Sequence, residues 1–96
     1  MDIQKILMHH VDFIVKNYSD SSKLRAVTAL WKDEEQKIYL SFYFDGSISE
    51  DDLEDAYDIG AGVIANFSNG LLEEKYIRLD YPKPLPKKTL AYKREE

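Results

Sequence analysis

Ninety-six residues with 44% hydrophobic and 32% charged side chains have the composition of one soluble globular domain spanning 1–96, not of a disordered chain. The 18 acidic residues outnumber 13 basic ones, for a net charge of -5, which argues against a fold that grips nucleic acid through its phosphates. With no cysteine, disulfides and thiolate metal sites are excluded.

Residues 1–18 set Lys5, Asp12 and Lys16 among apolar positions. They read as neither a signal peptide nor a membrane span, and a cytoplasmic protein starting near Met1 is expected. Ile3, Ile6, Leu7, Val11, Ile14, Val15 and Tyr18 recur at three- and four-residue steps, predicting a helix from about Asp2 to Asn17 with one apolar stripe. Ser19-Asp20-Ser21-Ser22 ends it with turn chemistry.

Leu24 to Trp31 is rich in β-formers, and Lys37 to Asp45 alternates clearly, so a hairpin through Lys32–Gln36 is predicted. In the second strand Ile38, Leu40, Phe42 and Phe44 point one way; Tyr39, Ser41 and Tyr43 point the other. After Asp45-Gly46, Ser49 followed by Asp52 offers a capping box, and Leu53, Ala56, Tyr57, Gly60, Val63, Ile64 and Phe67 continue as an inward stripe to about Phe67. Gly60 and Gly62 fall inside this helix, where close packing is the usual reason to tolerate them. Asn69-Gly70 is the expected stop. Lys75 to Asp80 reads as a third strand, Tyr81 to Pro86 as an extended polyproline-like connector, and Thr89 to Lys93 as a fourth, edge strand. The order α-β-β-α-β-(β) implies an α+β fold: an antiparallel sheet of three to four strands with both helices packed on one face.

Asp45, Glu50, Asp51, Asp52, Glu54, Asp55 and Asp58 follow one another with no Lys or Arg among them. Like charges three and four apart on a helix cost a few tenths of a kcal/mol per pair, and the N-terminal dipole relieves only the first turn. A solvated face that keeps the chain soluble is the commoner reason for such a run; the other is a surface made to meet something basic. The sheet face without helices presents Tyr39 and Tyr43, joined by Trp31 or Leu30 depending on register, a composition that suits a protein interface as well as ordinary cross-strand pairing. If the acidic run and the aromatic row meet at Asp45, they form one patch of anchors with a charged rim.

No residue pattern calls for a metal or cofactor. His9 and His10 are adjacent, so on a helix they diverge and cannot share an ion. The acidic run lacks the glycine and final glutamate of a calcium loop, and no serine sits in a nucleophile elbow, so an enzyme is not expected. Lys83, Lys87, Lys88, Lys93 and Arg94 form a basic tail, but Tyr81 and Tyr92 alone stand near it for stacking, and direct nucleic-acid binding is not expected.

Three stretches taken together carry a resemblance: Leu24-Arg25-Ala26-Val27 leading to Trp31, Ser41 to Asp52, and Ile77 to Pro86. They resemble small bacterial immunity-type proteins encoded beside toxins of contact-dependent growth inhibition and related polymorphic toxin systems, over about residues 24–86. The resemblance implies a cytoplasmic protein without enzymatic activity that blocks one cognate toxin, commonly a nuclease, by binding it tightly. It transfers no individual contact residue. Joined with the residue reading, it makes Asp45, Glu50, Asp51, Asp52, Glu54, Asp55 and Asp58 the charged part of a toxin-binding surface on a monomer or weak homodimer, with Trp31, Tyr39 and Tyr43 as anchors. The alternative is a small regulatory or scaffold module that self-associates through its exposed sheet face.

Overall fold

In the computed structural model, which describes residues 2–19, 22–67 and 70–96, the first apolar stripe forms helix α1 (Ile3–Tyr18). Asp2 caps it by accepting from the Lys5 amide at 3.2 Å, and Leu7, Val11, Ile14 and Val15 supply the buried side. Strands β1 (Leu24–Lys32) and β2 (Lys37–Phe44) follow as an antiparallel hairpin, turned by a short 3-10 segment at Asp33–Glu35 and by Gln36 in the left-handed region. Asp20 and Ser21, half of the expected turn before β1, lie outside the described residues. Helix α2 (Glu50–Ile64) starts at the expected capping box, with Ser49 and Asp52 each bonding the other's backbone amide. Strands β3 (Leu71–Arg78) and β4 (Leu90–Lys93) complete a four-stranded sheet in the order β3-β2-β1-β4.

The α+β architecture and element order are as expected, but the sheet is mixed and not wholly antiparallel. β3 runs parallel to β2, with Lys37 opposite Leu71 and Phe44 opposite Arg78. The cause is α2, which returns the chain to the start of β2 as a crossover, the connection parallel strands require. β3 therefore begins four residues before the expected Lys75. α2 stops at Ile64, short of Phe67, whose ring instead lies 6.3 Å from that of Trp31. Its buried set is Asp52, Ala56, Ile59, Gly60 and Val63; Tyr57, expected inward, is half exposed. Ser68 and Asn69 are not among the described residues, so only Gly70 of the expected stop is placed.

Register sorts the two faces. Val27, Ala29 and Trp31 of β1 stand opposite Phe42, Leu40 and Ile38, the β2 row that forms the core with α1 and α2. Thr28 and Leu30 stand opposite Ser41 and Tyr39 on the side without helices. Beyond the short β4, the Gln4 side chain bonds the free backbone of β1, donating to Ala29 O and accepting from the Trp31 amide at 2.8 Å each. A full burial of each large aliphatic or aromatic core residue contributes about 1.5–3 kcal/mol.

At Gly60, α2 packs directly against a side chain of β3. A Cβ there would lie 2.2 Å from Glu74 Oε2, on a half-buried carboxylate that accepts from the Tyr76 hydroxyl at 2.7 Å. Burial pushes the Glu74 carboxyl up, and the tyrosine bond only partly offsets it. Alanine at position 60 gains about 1 kcal/mol of helix propensity but must displace that carboxylate. Gly60→Ala is expected to lower stability by about 1 kcal/mol in denaturant titration, and Glu74→Ala added to it to restore most of the loss.

Candidate functional site

The acidic run divides into two groups. Asp52 points inward, its side chain 8% exposed, and holds Lys23 Nζ at 2.6 Å beside its capping role. The same ammonium donates to Ser47 O, so the start of α2 is tied to the segment before β1. Asp45 accepts from the Tyr81 amide and pairs with Arg94 at 3.1 Å. Both are engaged within the fold, whereas the sequence pattern groups them with the other carboxylates of the expected toxin-binding surface.

Glu50, Asp51, Glu54 and Asp58 lie exposed on the outer side of α2 and make no ion pair among the described residues. Half-buried Asp55 accepts from Ser19 Oγ at 2.6 Å. Asp51, Glu54, Asp55 and Asp58 line one open hollow together with Ser22, Lys23, Ser49 and Asp52. The carboxylates at 51, 54, 55 and 58 share a face because their spacing is three and four residues.

The expected aromatic anchors stand elsewhere. Tyr39 lies on the helix-free side, bonds Glu35 at 2.7 Å and is flanked by the ammonium groups of Lys37 and Lys32, 5.0 and 5.9 Å from its ring. The Glu35 bond raises the Tyr39 hydroxyl above its ordinary value. Tyr43 is half-buried on the same side. Trp31 is on the helix side, against Phe67, with Leu30 taking the position beside Tyr39. The outer side of α2 and the tyrosine row thus face opposite ways across the sheet, and the single patch expected at Asp45 does not form. The aromatic rings near the carboxylates belong to the helices: Phe13 at 55%, Tyr18 at 71% and Tyr57 at 51% exposure. Phe13 fell outside the predicted α1 stripe, and that departure was the available signal; Tyr18 was expected inward and is not.

Sequence reasoning also missed Arg25. It sits at a β-bulge between Leu24 and Ala26, 2% exposed, and spends its guanidinium on three segments at once. Nε and a terminal nitrogen hold Glu96 at 2.6 and 2.8 Å; the terminal nitrogens also donate to Leu79 O and Lys83 O at 2.7 and 2.9 Å. The Tyr81 ring is 5.7 Å away. Arg94 continues the network, reaching Glu96, Asp45 and Ser22 O, so it is withdrawn from the basic tail. A lone arginine inside the apolar run Leu24–Trp31 was its trace in the sequence.

Among the described residues no group of three or more histidines, aspartates or glutamates is placed to hold a metal, and no helix is long and apolar enough to cross a membrane. Comparison with known proteins gives the family. The sequence model of one family, described as MafI2 immunity protein, matches residues 21–96. The chain belongs to the MafI2 immunity protein family. No curated protein matches it. Membership makes this an immunity-type protein, one that binds and neutralises a cognate toxin. The match covers all four strands and α2, including Arg25, Arg94, Glu96 and the whole acidic run, and begins after α1.

The Arg25 guanidinium draws the Glu96 carboxyl from its ordinary 4.5 down to about 2. Because the folded value is the lower one, the pair's stabilisation is complete above about pH 4.5 and disappears as pH falls through about 2. Thermal melts between pH 5 and pH 2 are expected to show this loss in the MafI2 chain, and Glu96→Gln to flatten it. Arg25→Ala, which also strands two carbonyls, should cost roughly 3–5 kcal/mol at neutral pH.

Proposed function

We propose that this MafI2 protein works in the cytoplasm, without catalysis of its own, by presenting the outer face of α2 to a basic toxin, a nuclease whose active surface holds phosphates. One observation carries the reading: Glu50, Asp51, Glu54 and Asp58 stand exposed on one helix side and form no ion pair among the described residues. The nearby cations Lys23 and Arg94 are spent on Asp52 and Asp45. Such a field speeds encounter with an oppositely charged partner and disfavours wrong ones, while desolvated contacts at its border slow release.

Asp45 and Asp52 support this surface from behind by fixing the turn and the helix start. Tyr39 and Tyr43 face the other way, so they would reach the same toxin only if it wrapped around an edge of the sheet.

The test is an association-rate measurement with the cognate toxin domain. A variant carrying Asp51→Lys, Glu54→Lys and Asp58→Lys should keep the circular dichroism spectrum of the parent. Its association rate should fall roughly 10- to 100-fold at low salt, with the ionic-strength dependence largely lost. An unchanged rate and salt slope would remove the α2 face from the interaction.

A further inference from the structure

An aromatic ring left in water forgoes the stabilisation of burial, and α1 leaves two such rings beside the acidic face, Phe13 and Tyr18. Phe13 and Tyr18 wall a groove between α1 and α2 whose floor is Ile14 and Gly62 and whose far wall carries Asp58 and Asn66. The floor is low because residue 62 has no side chain: a Cβ there would come 3.2 Å from Ile14 Cδ1. Asn66 ties the far wall to α1, its amide nitrogen lying 2.6 Å from His10 Nε2 and donating to Gly62 O at 3.2 Å. Asp58 itself makes no ion pair among the described residues, and the nearest lysine on α1, Lys16, is held by Asp12 at 3.0 Å.

Two exposed aromatic rings and a carboxylate lining one groove are the chemistry that recognises a guanidinium. The rings receive the cation and the aliphatic stem, and the carboxylate takes two parallel N–H donors. We propose that this groove takes an arginine side chain of the toxin, its stem between Phe13 and Tyr18 and its guanidinium at Asp58. Arginine fits better than lysine because its planar head both stacks on a ring and bonds a carboxylate in a bidentate manner. Charge decides against other occupants. A second copy would bring the same negative face to the same place, and an anionic lipid surface would be repelled by it. The assignment rests on the reading that the acidic side of α2 meets a basic toxin, and it adds the anchoring contact that the reading lacks.

Binding of the catalytically inactivated toxin domain, measured by titration calorimetry, tests it. Phe13→Ala should weaken the dissociation constant roughly 10- to 100-fold through a faster off-rate, and Asp58→Asn roughly tenfold, while Phe13→Tyr stays near the parent value. Phe13 is 55% exposed, so the variant is expected to fold, as circular dichroism will show. An alanine scan of the toxin's arginines should find one whose loss is no longer felt in Asp58→Asn, the coupling of a direct contact. If the triple lysine variant slows association but Phe13→Ala and Asp58→Asn bind within twofold of the parent, the groove assignment is overturned and the acidic-face reading stands. If neither set changes binding, both are overturned. A concentration-dependent dimer in sedimentation that Phe13→Ala dissolves would identify a second copy as the occupant and also overturn it.

Discussion

A guanidinium taken almost wholly out of water holds this fold closed. Burying an unpaired charge costs several kcal/mol, so Arg25 is tolerable only because Glu96 and two backbone carbonyls meet it at hydrogen-bond distance. The need arises from topology. β3 and β4 occupy opposite edges of the sheet, so Leu79–Thr89 must travel from one edge to the other. Pro82, Pro84 and Pro86 lack the amide protons that would bond this passage to a strand. Arg25, lifted by the bulge onto the helix-free side with Ala26, supplies donors to its carbonyls instead. Ala26 at 0% and Thr28 at 9% exposure, both facing away from the helices, are consistent with the connector crossing there. The tyrosine face is correspondingly less open than an uncovered sheet.

The second constraint is the crossover. A helix between two parallel strands has to lie on the sheet, and α1 already occupies the same side, so α2 is confined to the space beside it. Contact on both flanks explains the two glycines separately. Gly60 admits the Glu74 carboxylate from β3, and Gly62 admits Ile14 from α1. With the inner side fixed by Ala56, Ile59 and Val63, the three- and four-residue spacing of the remaining acids puts them outward without further choice.

Much of this was legible in the residues and some was not, for reasons that differ. The alternation of Ile38, Leu40, Phe42 and Phe44 determined the core strand because a one-residue slip would expose all four. The Ser49–Asp52 capping box located α2 to the residue. The direction of β3 was not legible, since Leu71–Arg78 has the same composition whether it runs parallel or antiparallel; chain connectivity decides it. The inward side of α2 was misjudged at Tyr57 and Ile59 because Asp52 turns in to hold Lys23, which rotates the buried arc away from the purely apolar positions. Composition alone does not assign Trp31 to a face because that depends on register, and the observed pairing with Ile38 puts it under the helix side. For the site, the sequence displayed the charge of the acidic run but not its division, because Arg94 and Lys23 approach Asp45 and Asp52 from distant segments.

That division bears on why the exposed carboxylates persist. Side by side on α2 they cost a few tenths of a kcal/mol per pair, a small sum that the capping box and the dipole at Glu50, Asp51 and Asp52 largely offset. Cations placed among them would relieve the cost, yet Lys23 and Arg94 are bound by Asp52 and Asp45, whose removal would loosen the helix start and the turn. The fold thereby keeps its own positive charge off this side. Stability is carried by one set of acids and the external field by another, so substitution on the outer face of α2 can alter partner choice while Arg25, Glu96, Asp45 and Asp52 continue to hold the sheet and its connector together.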